Sequence, residues 1–102
     1  MTWKSITQDQ LQTILDEEFV RCTPQQQEIL KSHAVPFRKI PIIRSGNKEY
    51  VFVVAQRGNE VLYYEDVEGG FEISSLAKDG SIENSGSNQD ELCWALKKWV
   101  GI

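Results

Sequence analysis

From Phe37 to about Ile82 the pattern of this chain changes from the helical period of 3.6 to the period of two that strands show, punctuated by short turns rich in glycine and asparagine. A stretch at 37–44 sets Ile40 and Ile42 against Lys39 and Pro41, and a proline that cannot donate to a ladder suits an edge strand. The next, 49–56, is apolar on both faces, with Tyr50, Phe52 and Val54 on one and Val51, Val53 and Ala55 on the other, which predicts a central strand covered on both sides. Stretches at 60–67 and 71–76 follow after turns at 57–59 and 68–70, and Lys78-Asp-Gly-Ser81 reads as a type I′ hairpin turn. Parallel neighbours need a crossover of about a dozen residues, so loops this short dictate an antiparallel meander.

Helical periodicity flanks the meander. Thr7 and Gln10 form a capping box before Leu11, Ile14, Leu15 and Phe19, predicting a helix over 8–21, with Ile6 stapled onto Leu11. Thr23, Pro24 and Gln26 open a second over 24–33, which must end before Pro36. A polar loop at 83–88 precedes a third helix, with Ser87 or Asn88 as its cap and Asp90 and Glu91 in its first turn. Leu92, Leu96 and Trp99 share its inner face, Lys97 and Lys98 suit its C-terminal dipole, and Gly101 closes it. The expected architecture is one α+β domain over 1–102: two N-terminal helices, a four-stranded antiparallel meander and one C-terminal helix packed on the sheet.

With 40% apolar and 25% charged residues the composition is that of a folded globular protein, which excludes disorder and low complexity. The apolar run 50–55 is far shorter than the roughly 20 residues a membrane span needs, and no basic-then-apolar leader opens the chain. Cys22 and Cys93 lack the spacing of a zinc or C-x-x-C site and read as reduced thiols, and no N-x-[ST] acceptor occurs. Together these predict a cytoplasmic chain.

The net charge of −4 is unevenly spread. Residues 60–91 carry nine carboxylates (Glu60, Glu65, Asp66, Glu68, Glu72, Asp79, Glu83, Asp90, Glu91) against the single Lys78. Such a field repels phosphate backbones and anionic lipid, so neither nucleic acid nor membrane is expected as a partner.

Catalytic motifs are sparse. His33 is the one imidazole, and a Cys22–His33 dyad would place its members at opposite ends of the second helix, about 15 Å apart. The stretch from Asp79 imitates a calcium loop but has Asn84 where glycine is required and Asp90 where a bidentate glutamate belongs. The glycines assemble into no phosphate loop, and G-K-[ST] and G-x-S-x-G are absent. No cofactor is expected.

Recognition is better supported than catalysis. Trp94 lies about 200° around the third helix from Leu92, which predicts an outward aromatic of the kind that anchors protein interfaces. On the hairpin of 60–67 and 71–76, Tyr63 or Tyr64 is expected to face outward beside Glu65, Asp66, Glu68 and Glu72. That face would suit a basic protein. In type alone the chain is similar to bacterial immunity proteins, small acidic α+β proteins that neutralise basic toxins, which implies a toxin domain as partner and no enzymatic activity. The alternative is a small-molecule or divalent-metal site formed by the same four carboxylates in a cleft beside 83–88. Homodimerisation through the 37–44 edge is a third reading, opposed by Pro41 and its charged neighbours, so that a monomer or weak homodimer is expected.

Overall fold

The structure is a computed structural model and describes residues 6–44, 46–65, 69–82 and 90–101. Helix α1 (Gln8–Phe19) starts at the predicted box: the Gln10 N–H donates to Thr7 Oγ1 at 3.1 Å, and the Thr7 N–H donates to Gln10 Oε1 at 2.9 Å. Thr23 and Gln26 repeat this reciprocal pair before α2 (Pro24–His33), whose first residue is a proline with no N–H to leave unpaired. Helix α1 ends two residues sooner than predicted, because Arg21 and Cys22 donate to the Glu18 and Phe19 carbonyls in a tight turn that leads into the second cap.

Four strands follow: β1 (Ala34–Arg44), β2 (Asn47–Arg57), β3 (Glu60–Glu65) and β4 (Gly70–Ser75), in the sheet order β1-β2-β3-β4 with every neighbour antiparallel. Helix α3 (Leu92–Val100) packs on the sheet, and the architecture is α+β as expected. Strand β1 begins at Ala34, three residues sooner than predicted, since a residue before proline is pushed into extended geometry and Val35 continues what α2 leaves off.

The sheet is covered on both faces, but unequally. On the first face Phe52, Val54, Ala55, Leu62, Tyr64 and Phe71 pack against Leu11 and Leu30 of the N-terminal helices and Leu92, Ala95, Leu96 and Trp99 of α3. A bulge between Val53 and Ala55 puts Val54 and Ala55 into the same core. On the second face Ile40, Ile42, Val51, Val53, Val61 and Tyr63 form a separate core closed by Leu76 and Ile82.

That closure corrects the expected hairpin at 78–81. The Ala77 N–H donates to the Ser81 carbonyl at 2.8 Å, and Asp79 Oδ1 accepts from the Ser81 N–H and hydroxyl, a pair of donors that holds the Asp79 carboxyl below its usual range. Gly80, at φ +83°, supplies the left-handed residue of the turn. The chain then leaves β4 and pairs in parallel with the far edge of β1: the Ile82 N–H donates to the Pro41 carbonyl at 2.8 Å, and the Ile43 N–H donates to the Ile82 carbonyl at 3.1 Å. The β1 edge that read as open is therefore occupied at 41–43. The outer edge of β4 is occupied too, where Phe71 and Asp90 exchange both backbone hydrogen bonds.

The start of α3 also differs from expectation. Ser87 and Asn88 lie outside the described residues, and the cap position is Glu91, whose side chain makes no capping bond. Asp90 and Glu91 thus precede the helix. The missing cap comes from another element: the Leu92 N–H donates to Oε1 of Glu18 on α1 at 2.7 Å, placing a carboxylate at the positive end of the α3 dipole. Glu18→Ala is expected to lower stability by about 1 kcal/mol and the melting temperature by about 4–8 °C, while Glu18→Gln, which keeps an acceptor, costs less. Thermal unfolding followed by circular dichroism checks both. At the other end Gly101, with φ +75°, donates its N–H to the Lys97 carbonyl and stops the helix as predicted.

Candidate functional site

Of the hairpin residues expected to form an open acidic face, those the structure describes are buried. Tyr63 is fully buried in the second core, Tyr64 in the first, where its ring meets Phe71 edge-on at 5.1 Å, and Glu65 and Glu72 are buried as well. Strand alternation sets Tyr63 and Tyr64 on opposite faces, and both faces are covered, that of Tyr63 by the Leu76–Ile82 crossing and that of Tyr64 by the helices. Asp66 and Glu68 lie outside the described residues. Among the described residues the exposed carboxylates are dispersed: Asp9, Asp16 and Glu17 on α1, Glu28 on α2, Asp79 in its turn and Glu91 before α3.

Glu72 is a buried carboxylate on β4. It pairs with Tyr63 across the β3–β4 ladder and is 8% exposed, and its Oε2 finds no hydrogen-bond partner among the described residues. Burial pushes its carboxyl above the usual range; Lys98 pulls it back, while Asp90 and Glu65 push it further up. Lys98 is ion-paired with Asp90, which raises the lysine's own pKa. A carboxyl whose pKa is raised by folding binds its proton more tightly in the folded chain. Its contribution to stability is full below the unfolded value of 4.5 and is lost as pH rises through the higher folded value. Glu72→Gln should therefore flatten the fall in stability above pH 4.5 and make the protein more stable than wild type at pH 7. Urea titrations of both proteins across that range check it. No group of three His, Cys, Asp or Glu side chains among the described residues is arranged to hold a metal ion. A depression of about 590 Å³ under Leu76–Asp79 contains neither Glu65 nor Glu72.

The open aromatic surface is elsewhere. Strand β2 was expected to be covered on both sides, yet Tyr50 is 50% exposed. Burial along β2 falls off toward the β1–β2 turn, where Asn47, Lys48 and Tyr50 are exposed, whereas the strand joins the first core from Phe52 onward. Running out from the core along this face stand, in register, Lys39 opposite the buried Phe52, Pro41 opposite Tyr50, and Ile43 opposite Lys48. Ile43 is 39% exposed, Lys39 Nζ sits 5.1 Å from the Phe52 ring centroid, and Lys48 Nζ sits 5.9 Å from that of Tyr50. An apolar strip of Pro41, Ile43 and Tyr50 is thus bordered by two ammonium groups. Residues 34–57 contain five basic groups (Arg38, Lys39, Arg44, Lys48, Arg57) and one carboxylate, Glu49.

Trp94 is exposed, as its helical angle predicts, with Lys97 Nζ 5.0 Å from the ring centroid. Beside it a cleft of about 270 Å³ is lined by Arg21, Thr23, Gln26, Cys93, Trp94 and Lys97. His33 stands apart from Cys22: its Nδ1 is 2.9 Å from the Ile29 carbonyl, an acceptor that assigns the proton to this nitrogen, and its ring lies 5.7 Å from Trp99. Cys22 instead meets Cys93, with the two sulfurs 2.7 Å apart. Nothing in a separation of 71 residues announces that contact.

No known protein family matches this chain, and neither a curated protein nor a solved structure matches it. Among the described residues no helix is long and apolar enough to cross a membrane.

Proposed function

We propose that this chain is a non-catalytic protein-binding domain, and that the open end of its β1–β2 hairpin docks an acidic segment of another protein. The carrying observation is the strip of exposed Ile43 and Tyr50 with half-buried Pro41, between Lys39 and Lys48. A half-exposed tyrosine is an entropically cheap anchor with an apolar body and a polar tip, and flanking cations add orientation and association rate for a negative partner. The partner's expected sign is the reverse of that drawn from the carboxylates of 60–91, because Glu65 and Glu72 are buried and the hairpin lysines are not. A toxin-neutralising role then requires an acidic region on the toxin.

The test is fluorescence titration with three labelled probes: an acidic peptide of about a dozen residues with leucines interspersed among glutamates, its lysine counterpart, and a thymidine oligonucleotide of similar length. The acidic peptide is expected to bind best and to weaken roughly tenfold between about 50 and 200 mM salt. Preference for the lysine peptide would restore a basic partner, and preference for the oligonucleotide would replace protein by nucleic acid; either overturns the proposal.

A further inference from the structure

Cys22 and Cys93 come from opposite ends of the sequence and meet at one corner of the helical layer, where α1 turns into α2 above the first turn of α3. Their sulfurs are 2.7 Å apart, and both thiols point at the Glu18 carbonyl, from which they lie 3.5 and 3.9 Å away. Closing that gap to the roughly 2.05 Å of an S–S bond moves the sulfurs by less than 1 Å. Their exposure differs. Cys22 is 7% exposed, whereas Cys93 is half-buried and lines the cleft of about 270 Å³ whose rim carries Arg21 and Lys97.

We propose that Cys22 and Cys93 form a redox-active dithiol that is oxidised to an intramolecular disulfide by a small anionic disulfide, which enters the cleft and reacts first at Cys93. The chemistry balances in two exchanges. Cys93 sulfur, as thiolate, attacks one sulfur of the small disulfide, forming a mixed disulfide and expelling a thiolate that takes up the proton Cys93 gave away. Cys22 sulfur then attacks Cys93 sulfur, the second small thiol leaves, and the Cys22 proton goes with it. Two protein thiols are oxidised and one small disulfide is reduced to two thiols. Burial, the hydrogen bond to Cys93 and the charges of Cys93 and Glu18 push the Cys22 thiol up to about 12, so Cys22 is protonated at neutral pH and acts second. Masking Cys93 as a mixed disulfide removes two of those causes and releases Cys22 for the second step. Arg21 and Lys97 at the rim favour a disulfide bearing carboxylates, such as glutathione disulfide.

This site is separate from the hairpin face, and the experiment does not involve a protein partner. The reduced full chain is incubated with glutathione disulfide in excess over glutathione, quenched with acid and weighed intact. The expected product is a monomer lighter by two hydrogens, with no glutathione attached, and with a melting temperature raised by about 10 °C or more, because the bond closes a loop of 71 residues. Cys22→Ser is expected to stop at one glutathione per chain, mapped to Cys93, and Cys93→Ser to leave Cys22 unmodified while folded. Arg21→Gln with Lys97→Gln should slow the reaction with glutathione disulfide roughly tenfold but leave that with cationic cystamine no slower. A wild-type chain that stays a dithiol, ends as a stable glutathione adduct or links to a second chain overturns the dithiol. Equal slowing with both small disulfides overturns the preference for an anion.

Discussion

Phe71→Ala is expected to destabilise the protein by about 3–5 kcal/mol and to lower its melting temperature by roughly 15–30 °C. Phe71 is fully buried, on the strand that joins the sheet to α3, and its ring meets Tyr64 edge-on with an interplanar angle of 69°. Its backbone pairs with Asp90 immediately before α3. Truncation opens a cavity where sheet, helix and incoming chain converge, so collapse around it would need all three to shift. Phe71→Leu keeps most of the volume and is expected to cost about 1–2 kcal/mol. Val20→Ala, at a position 75% exposed, is expected to change stability by no more than about 0.5 kcal/mol. Urea unfolding of the three variants measures the series, and a Phe71→Ala loss no greater than that of Val20→Ala would contradict the packing described.

The second large effect concerns binding. Tyr50→Ala combined with Lys39→Glu and Lys48→Glu is expected to weaken binding of the acidic peptide at least about 100-fold, which corresponds to roughly 2.7 kcal/mol. Each position is exposed on one face of the hairpin and none belongs to either buried core, so the melting temperature should move by only a few degrees. The same charge reversal at Lys97, on α3, should have little effect on this binding. Isothermal titration alongside thermal unfolding separates a lost surface from a lost fold.

The parts of the fold that were readable from residues are those decided locally. Thr7 with Gln10 and Thr23 with Gln26 announce two helices because a capping box is complete within four residues, and Gly101 ends the third because a left-handed residue is needed there. The meander follows from alternation and short turns. What escaped was decided by distant contacts. The crossing of Leu76–Ile82 to β1 depends on Ile82 finding the Pro41 carbonyl, forty-one positions earlier. It closes the core around Tyr63, a residue whose type, among neighbouring carboxylates, suggested solvent. The cap of α3 comes from Glu18 rather than from its own preceding loop. Of the candidate site, Trp94 was visible from helical angle alone. The hairpin face was not, because Tyr50 lies beyond the part of β2 that joins the first core, and a strand's own sequence does not say where that core ends.

The central claim is that the protein's binding surface is the cationic, aromatic end of the β1–β2 hairpin. Its most direct measurement is a nitrogen–proton correlation spectrum of the labelled full chain, recorded with and without the acidic peptide. The account predicts that shifted amides concentrate in 38–50, with 8–33 and 92–100 unmoved. Shifts concentrated on α1, on Glu91 or around Trp94, with the hairpin silent, would contradict it.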